Sequence, residues 1–263
     1  MTASFLTEWG LDGTVGLIFS LLTGATGIAY LATGEIGRRR DRRSRRWPLR
    51  RTGCFLAGLT VLLVALDSGI GAAADAHLSA HMVEHMLIWL LAAGAPARLA
   101  FFASGRPGRR RLGRALTSRP VVALTGPALS GALFSAVIVV SHLPIVYDLT
   151  LESPLAHVTE HAVYLLTAVL VWAPLIGADP IPHRLGAGGR CACVALCMIP
   201  MAAVSLWLLL SPAALYEPYR LALGVPAALA DQRLAGLIML AASAPALAIA
   251  VVARPISARP ATA

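Results

Sequence analysis

The chain has 263 residues, of which 57% are hydrophobic and 13% are charged, and its mean hydropathy is +0.73. Because about a quarter of the residues in soluble domains are charged, this composition excludes a water-soluble protein and indicates a membrane protein. The formal net charge of +9 arises from 22 basic residues, all of them arginine, against 13 acidic residues.

Apolar segments of about 20 residues, the length that crosses a hydrocarbon core, recur along the whole chain. They predict an all-α polytopic membrane protein whose seven transmembrane helices form a single bundle domain over residues 1–263. Because no arginine precedes the first segment, we expect that segment to be retained as a helix and not removed as a signal peptide. The predicted spans are 12–34, 53–74, 78–100, 121–141, 155–177, 191–211 and 232–252.

Arginine content alternates between successive loops. Residues 38–51 contain nine arginines and residues 106–119 contain six, whereas Arg220 and Arg233 are assigned to the opposite side. The positive-inside rule therefore predicts an external amino terminus, a cytoplasmic carboxyl terminus and a short cytoplasmic tail at 254–263. We expect the arginine runs to bind anionic membrane lipids and not nucleic acid. Acidic residues collect on the predicted outer side, either to attract cations or because arginine is disfavoured there.

Six of the seven histidines fall in the outer half of the predicted bundle or at its outer boundary. The third span begins HLSAHMVEHM and the fifth begins LAHVTEHAVYLL, so each places its histidines four residues apart on one helical face. Two such faces that meet present several imidazoles to one metal ion, and nearby thioethers favour Cu(I). Interhelical hydrogen bonds and ordinary packing are the alternative roles. The predicted metal ligands are His77, His81, His85, His142, His157, His161, Met82 and Met86.

The motif A-H-x-x-E-H occurs twice, at 80–85 and at 156–161. Each copy begins a helix that is predicted to run from outside to inside. This pattern predicts a degenerate repeat of the hairpins 53–100 and 121–177, whose histidine faces converge at the repeat interface. A chance similarity between two short segments is the alternative.

Other chemistry is compatible with parts of these motifs. H-x-x-E-H is also found in zinc peptidases, but two copies at outer helix ends, without a clear third ligand, argue against an enzyme. One histidine from each helix can ligate haem b axially, so a haem-binding electron-transfer protein is an alternative, as is a copper transporter. Four cysteines at predicted cytoplasmic helix ends are either small buried hydrophobes or ligands for a soft metal. They are Cys54, Cys191, Cys193 and Cys197.

Three segments taken together resemble the multi-spanning cytochrome c oxidase assembly factors called CtaG, and not the single-span copper chaperone of the same name. They are SAHMVEHML at 79–87, HLPIVYDLTLESPLAHVTEHAVYLLTAVLVWAP at 142–174 and ADQRLAGLIM at 230–239. The resemblance covers residues 52–252, and it departs from the family at Leu240, where an aromatic residue is usual. Carried over by motif position, the candidate functional residues are His81, His85, His142, His157, His161, Tyr147, Asp148, Asp231 and Gln232.

The resemblance implies a non-catalytic protein of the bacterial plasma membrane that supports assembly of a haem-copper oxidase. Its implied partners are the oxidase subunits and a periplasmic copper chaperone, and copper is its implied cargo. We expect carboxylates beside the histidines to orient the imidazoles, or alternatively to stabilise helix amino termini. The residues predicted to surround the ligands are Glu84, Glu160, Tyr147, Asp148, Asp231 and Gln232.

Overall fold

The computed structural model of the chain describes residues 20–32, 49–92, 113–176, 183 and 185–252, which are almost entirely helical. No strand occurs within these ranges, so the predicted all-α class is confirmed for them. In chain order the described helices of six or more residues are α1 (Ser20–Ala32), α2 (Leu49–Asp67), α3 (Gly69–Ala74), α4 (Leu78–Ala92), α5 (Arg119–Leu124), α6 (Pro127–Ser141), α7 (Pro144–Glu152), α8 (Pro154–Ile176), α9 (Ala187–Leu210), α10 (Glu217–Leu223), α11 (Val225–Ala241) and α12 (Ser243–Val252).

Three segments of the described chain are long and apolar enough to cross a membrane. They are α8, α9 and the consecutive α11 and α12 over Val225–Ala248, and the bent pair of α6 and α7 makes a fourth if it is one broken span. These segments correspond to the last four predicted spans. The first and third predicted spans, 12–34 and 78–100, extend outside the described residues, and α1 and α4 are short. The structure therefore supports a membrane protein with three or four spans, and the count of seven stays a prediction.

The second predicted span, 53–74, is not one continuous helix. Ser68 separates α2 from α3, and its Oγ accepts a hydrogen bond of 3.2 Å from the backbone N–H of Ile70. A Cβ added at Gly71 would lie 2.5 Å from the carbonyl oxygen of Leu66, so only glycine permits this close return of the chain. Hydropathy did not indicate the break because both pieces are apolar.

A second break separates α6 from α7 and bends the chain by 75°. Proline disfavours the helical conformation of the residue before it, and Leu143, which precedes Pro144, has φ −64° and ψ 130°. The sequence predicted an outer loop here and not a second helix. The bend turns α7 back over α4, so that the ring centroids of Tyr147 and His81 are 5.0 Å apart.

Five helices pack in a closed ring around the core. In this ring α4 contacts α8, α8 contacts α6, α6 contacts α9, α9 contacts α11, and α11 returns to α4. Fully buried aromatic rings fill one level of the ring: the Trp89 and Phe134 rings stack with centroids 4.3 Å apart. The indole N–H of Trp172 donates a hydrogen bond of 2.9 Å to the carbonyl of Trp89. Trp89 lies one helical turn below His85, so this aromatic layer closes the helix bundle beneath the histidines.

Candidate metal centre

Helices α4 and α8 present the two copies of the histidine motif to each other at the same distance from their starts. Counted from Leu78 and from Pro154, the fourth, seventh and eighth residues of each helix are His, Glu and His. The start of α4 is held by Asp231 of α11, whose carboxylate accepts hydrogen bonds from the hydroxyl of Ser79 and, at 3.2 Å, from its backbone N–H. The equal phase of the two helices brings the repeated side chains to one level.

Four of these side chains direct their ligand atoms to a common point. We call His81, His85, Glu160 and His161 the inner group, and one ligand atom from each lies within 4.8 Å of all the others. The Nε2 atoms of His81 and His85 are 3.0 Å apart. The Glu160 carboxylate lies 3.6 Å from the first of these nitrogens and 3.8 Å from the second.

The carboxylates of the two motifs are exchanged between the helices. Glu160 of α8 faces the imidazoles of α4, while Glu84 of α4 lies 3.5 Å from Nε2 of His161 on α8. A pair of helices related by an approximate two-fold axis makes this kind of reciprocal contact. This reciprocal contact involves α4 and α8 alone, and the repeat of the hairpins 53–100 and 121–177 stays a prediction.

The inner group is deeply buried and its polar atoms are poorly satisfied. His81 and His85 are 0% exposed, and His161 and Glu160 are 8% and 9% exposed. Both carboxylate oxygens of Glu160 and Nε2 of His161 have no hydrogen-bond partner among the described residues. Because buried polar atoms normally have partners and a buried carboxylate needs positive charge beside it, this donor set fits a bound cation.

A second set of ligand atoms overlaps the first. We call His81, Glu84 and His157 the outer group, and their ligand atoms also lie within 4.8 Å of one another. His157 is only partly buried, and its ring stacks on that of His81 with centroids 5.4 Å apart. His81 belongs to both groups, so the two sets of ligands are adjacent in space.

Tyrosines of α7 and α10 cover the histidines through a chain of hydrogen bonds. The hydroxyl groups of Tyr147 and Tyr219 are 3.0 Å apart, and that of Tyr219 donates to the carbonyl of Ala74 at 2.8 Å. Burial raises the pKa of Tyr219, which keeps the phenol protonated and able to donate. The hydroxyl of Tyr216 donates to the carbonyl of His142 at 3.0 Å. This network fixes α7 and α10 above the ligand groups.

His142 and the two predicted methionine ligands lie beside the ligand groups but belong to neither. Nδ1 of His142 donates a hydrogen bond of 2.7 Å to the carbonyl of Ile138, so Nε2 carries the free lone pair of the ring. This Nε2 atom lies 3.4 Å from the sulfur of Met82. The His142 and His85 rings are 6.4 Å apart by centroid. Met86 is buried in the apolar core. A ligand role for these three residues stays a prediction.

Other predicted residues have contacts that indicate structural roles. The His77 imidazole, about half exposed, lies 3.9 Å from the Asp231 carboxylate, and Asp231 itself holds the start of α4. Gln232 accepts a hydrogen bond of 2.8 Å from the N–H of Leu215, and its amide donates to the carbonyls of Leu208 and Ala213. Its amide thus connects the turn after α9 to α11, and the predicted role of Gln232 beside the metal ligands stays a prediction. Asp148 has one buried carboxylate oxygen without a hydrogen-bond partner among the described residues.

Two residues beside the site were missed by the sequence argument. The Tyr164 ring stacks on that of His85 with centroids 4.5 Å apart, and its buried hydroxyl has no hydrogen-bond partner among the described residues. Tyr164 follows His161 by three residues and so shares its helical face, which is the signal that would have found it. Trp89 lies four residues after His85 and was detectable in the same way.

Comparisons with known proteins agree with the motifs. The sequence model of the family described as cytochrome c oxidase caa3 assembly factor (Caa3_CtaG) matches residues 28–257. Uncharacterized proteins of Mycobacterium bovis and Mycobacterium tuberculosis are each 30% identical over 200 residues, covering 72% of this chain and 29% of theirs. One from Mycobacterium leprae is 29% identical over 193 residues, covering 69% and 28%. The chain thus spans about 29% of the length of the first two relatives. No solved structure matches it.

Proposed function

Because the chain belongs to the cytochrome c oxidase caa3 assembly factor family, as its motifs predicted, we propose that it holds a copper ion for insertion into a haem-copper oxidase. The inner group binds this cargo, and the oxidase subunits receive it. The observation that supports the proposal is the convergence of three imidazoles and one carboxylate. Among the described residues, both oxygens of Glu160 and Nε2 of His161 have no hydrogen-bond partner. Burial of these polar groups destabilises the folded protein when no cation is bound, and a bound cation offsets that cost.

The donor set is compatible with copper. Neutral imidazole binds copper readily, and a thioether beside it favours the cuprous state. In this chain the sulfur of Met82 lies 3.4 Å from Nε2 of His142, at the edge of the inner group. Glu84 lies 3.5 Å from Nε2 of His161, so its carboxylate adds negative charge beside a cation bound at that nitrogen.

A holding function suits the surroundings of the inner group better than passage across the membrane. A transporter requires a polar path through the bundle, whereas the side chains beneath His85 are Trp89, Phe134 and Trp172, all 0% exposed. An ion bound above this layer leaves on the side from which it came. We therefore assign release to a partner on the outer side, with a periplasmic copper chaperone as the supplier.

We further propose a topology of seven spans in a bacterial plasma membrane, with the amino terminus outside and the carboxyl terminus in the cytoplasm. The arginine-rich segments 38–51 and 106–119 support this orientation, which places the histidines near the outer face. In a background with the native cysteines replaced by alanine, a membrane-impermeant thiol reagent is expected to label Glu152→Cys in intact cells. Arg109→Cys should react only after the cells are opened, and labelling with the opposite preference would reverse the orientation.

The function is tested by complementation in a strain that lacks the gene. Wild-type protein should restore oxidase activity and copper content, and His161→Ala should not, with oxidase subunit transcription equal in both. His183→Ala is the matched control, because its ring lies outside the cluster and binds the carbonyl of Val122 at 2.8 Å. Full oxidase copper content in the deletion strain would contradict the proposal. A Soret band of one haem per chain in the purified protein would instead assign the histidines to haem b.

A further inference from the structure

The inner and outer groups share one histidine, His81. We propose that they are two successive positions for a single ion, which binds first at the outer group and then moves to the inner group. The inference rests on the proposed function, since it describes how the same cargo enters. His81 stays bound to the ion during the step, while the other ligands exchange.

Successive occupation follows from the chemistry of the shared residue. A neutral imidazole has a single nitrogen lone pair for a metal, because its other nitrogen carries the proton. His81 therefore ligates one ion at a time, and the two groups are not filled together. The ion keeps its charge and no electron is transferred: His157 and Glu84 release it as His85, Glu160 and His161 bind it.

The order of the two positions follows from burial. His157 is partly exposed, whereas His85 is 0% exposed and His161 is 8% exposed, so an ion arriving from outside meets the outer group first. The exposed Asp75 lies three residues before the start of α4, the end of that helix that bears the outer group, so its carboxylate attracts cations toward this end. Electrostatic attraction of this kind raises the local cation concentration at the mouth of a site.

The ligand count sets the direction of the step. The outer group offers two imidazoles and one carboxylate, while the inner group offers three imidazoles and one carboxylate. The additional ligand makes the inner position the tighter one. Glu84 is well placed for the exchange, since it belongs to the outer group and lies 3.5 Å from His161 of the inner group.

Loading kinetics of the full chain in detergent test the proposal, with Cu(I) supplied as a coloured chelator complex. Wild-type protein should bind about one ion per chain. His157→Ala should also bind one ion with nearly unchanged affinity, but load at least about 10-fold more slowly, because the outer position is lost. His85→Ala should load at the wild-type rate and then lose the ion easily. His183→Ala serves as the control with unchanged rate and affinity.

Several results would overturn the two-position proposal. They are two ions per chain in the wild type, a wild-type loading rate in His157→Ala, or loss of bound copper in that variant at equilibrium. His157→Gln, which keeps the size and polarity of the side chain, replaces the alanine variant if the latter does not fold. If wild-type protein binds no copper, both the proposed function and the two-position proposal fail. Each of the other results overturns the two-position proposal alone.

Discussion

A close approach between α9 and α11 at Gly236 predicts the loss of stability that a substitution there should cause. Gly236, in the segment ADQRLAGLIM of α11, packs on α9 so tightly that an added Cβ would lie 2.7 Å from the carbonyl oxygen of Ser205. The same Cβ would lie 3.2 Å from the backbone nitrogen of Leu209. Backbone atoms do not rotate away, so the helices must separate by about 0.7 Å to reach an ordinary contact near 3.4 Å.

We expect Gly236→Ala to lower the free energy of unfolding by about 1–3 kcal/mol, the usual cost of overpacking. For a chain of this size, that corresponds to a fall of roughly 2–12 °C in Tm, measured by thermal unfolding in detergent. Gly58→Ala is the matched control, because Gly58 also lies within a helix but its added Cβ meets nothing within 4 Å. Its Tm should stay constant or rise, since alanine favours helix. Equal Tm values for the two variants would refute the close helix approach.

Four further substitutions separate structural from ligand roles. Gln232→Leu should lower Tm, because it removes three hydrogen bonds that contribute about 1 kcal/mol each. The amount of copper bound per folded chain should stay constant, and a loss of copper would contradict a purely structural role. Tyr164→Phe should preserve or raise Tm because its hydroxyl has no partner among the described residues, whereas Tyr219→Phe should lower it. Glu160→Gln should weaken copper affinity by roughly 100- to 1,000-fold, since four ligands that share the roughly 10–16 kcal/mol of a structural zinc site contribute about 2.5–4 kcal/mol each. Unchanged affinity would exclude Glu160 as a ligand.

The candidate site was largely predictable because its signal is periodic. Histidines spaced by four residues must share a helical face, and two such faces with the same motif were expected to meet. The structure brings His81, His85, His157 and His161 together as that argument requires. The sequence did not show that Glu160 points at the imidazoles of the other helix, because this depends on how α4 and α8 are rotated about their axes.

The breaks in the helices were less predictable. Hydropathy averaged over about 20 residues treats glycine, serine and proline inside an apolar run as tolerated, so the interruptions at Ser68 and Pro144 left no clear signal. The interruption at Pro144 matters for the site, since it places Tyr147 over His81. The contacts of Gln232 lie 17–24 residues away in the chain, and local sequence patterns do not identify such partners.

Elemental analysis of the protein purified under reducing conditions tests the central claim most directly. We predict about one copper per chain in the wild type and in His183→Ala. His85→Ala and His161→Ala should each lose most of that copper, and the double variant should lose little more, because both residues belong to one site. Full copper content in a folded double variant would contradict the account and leave these histidines with a role in packing and hydrogen bonding between helices.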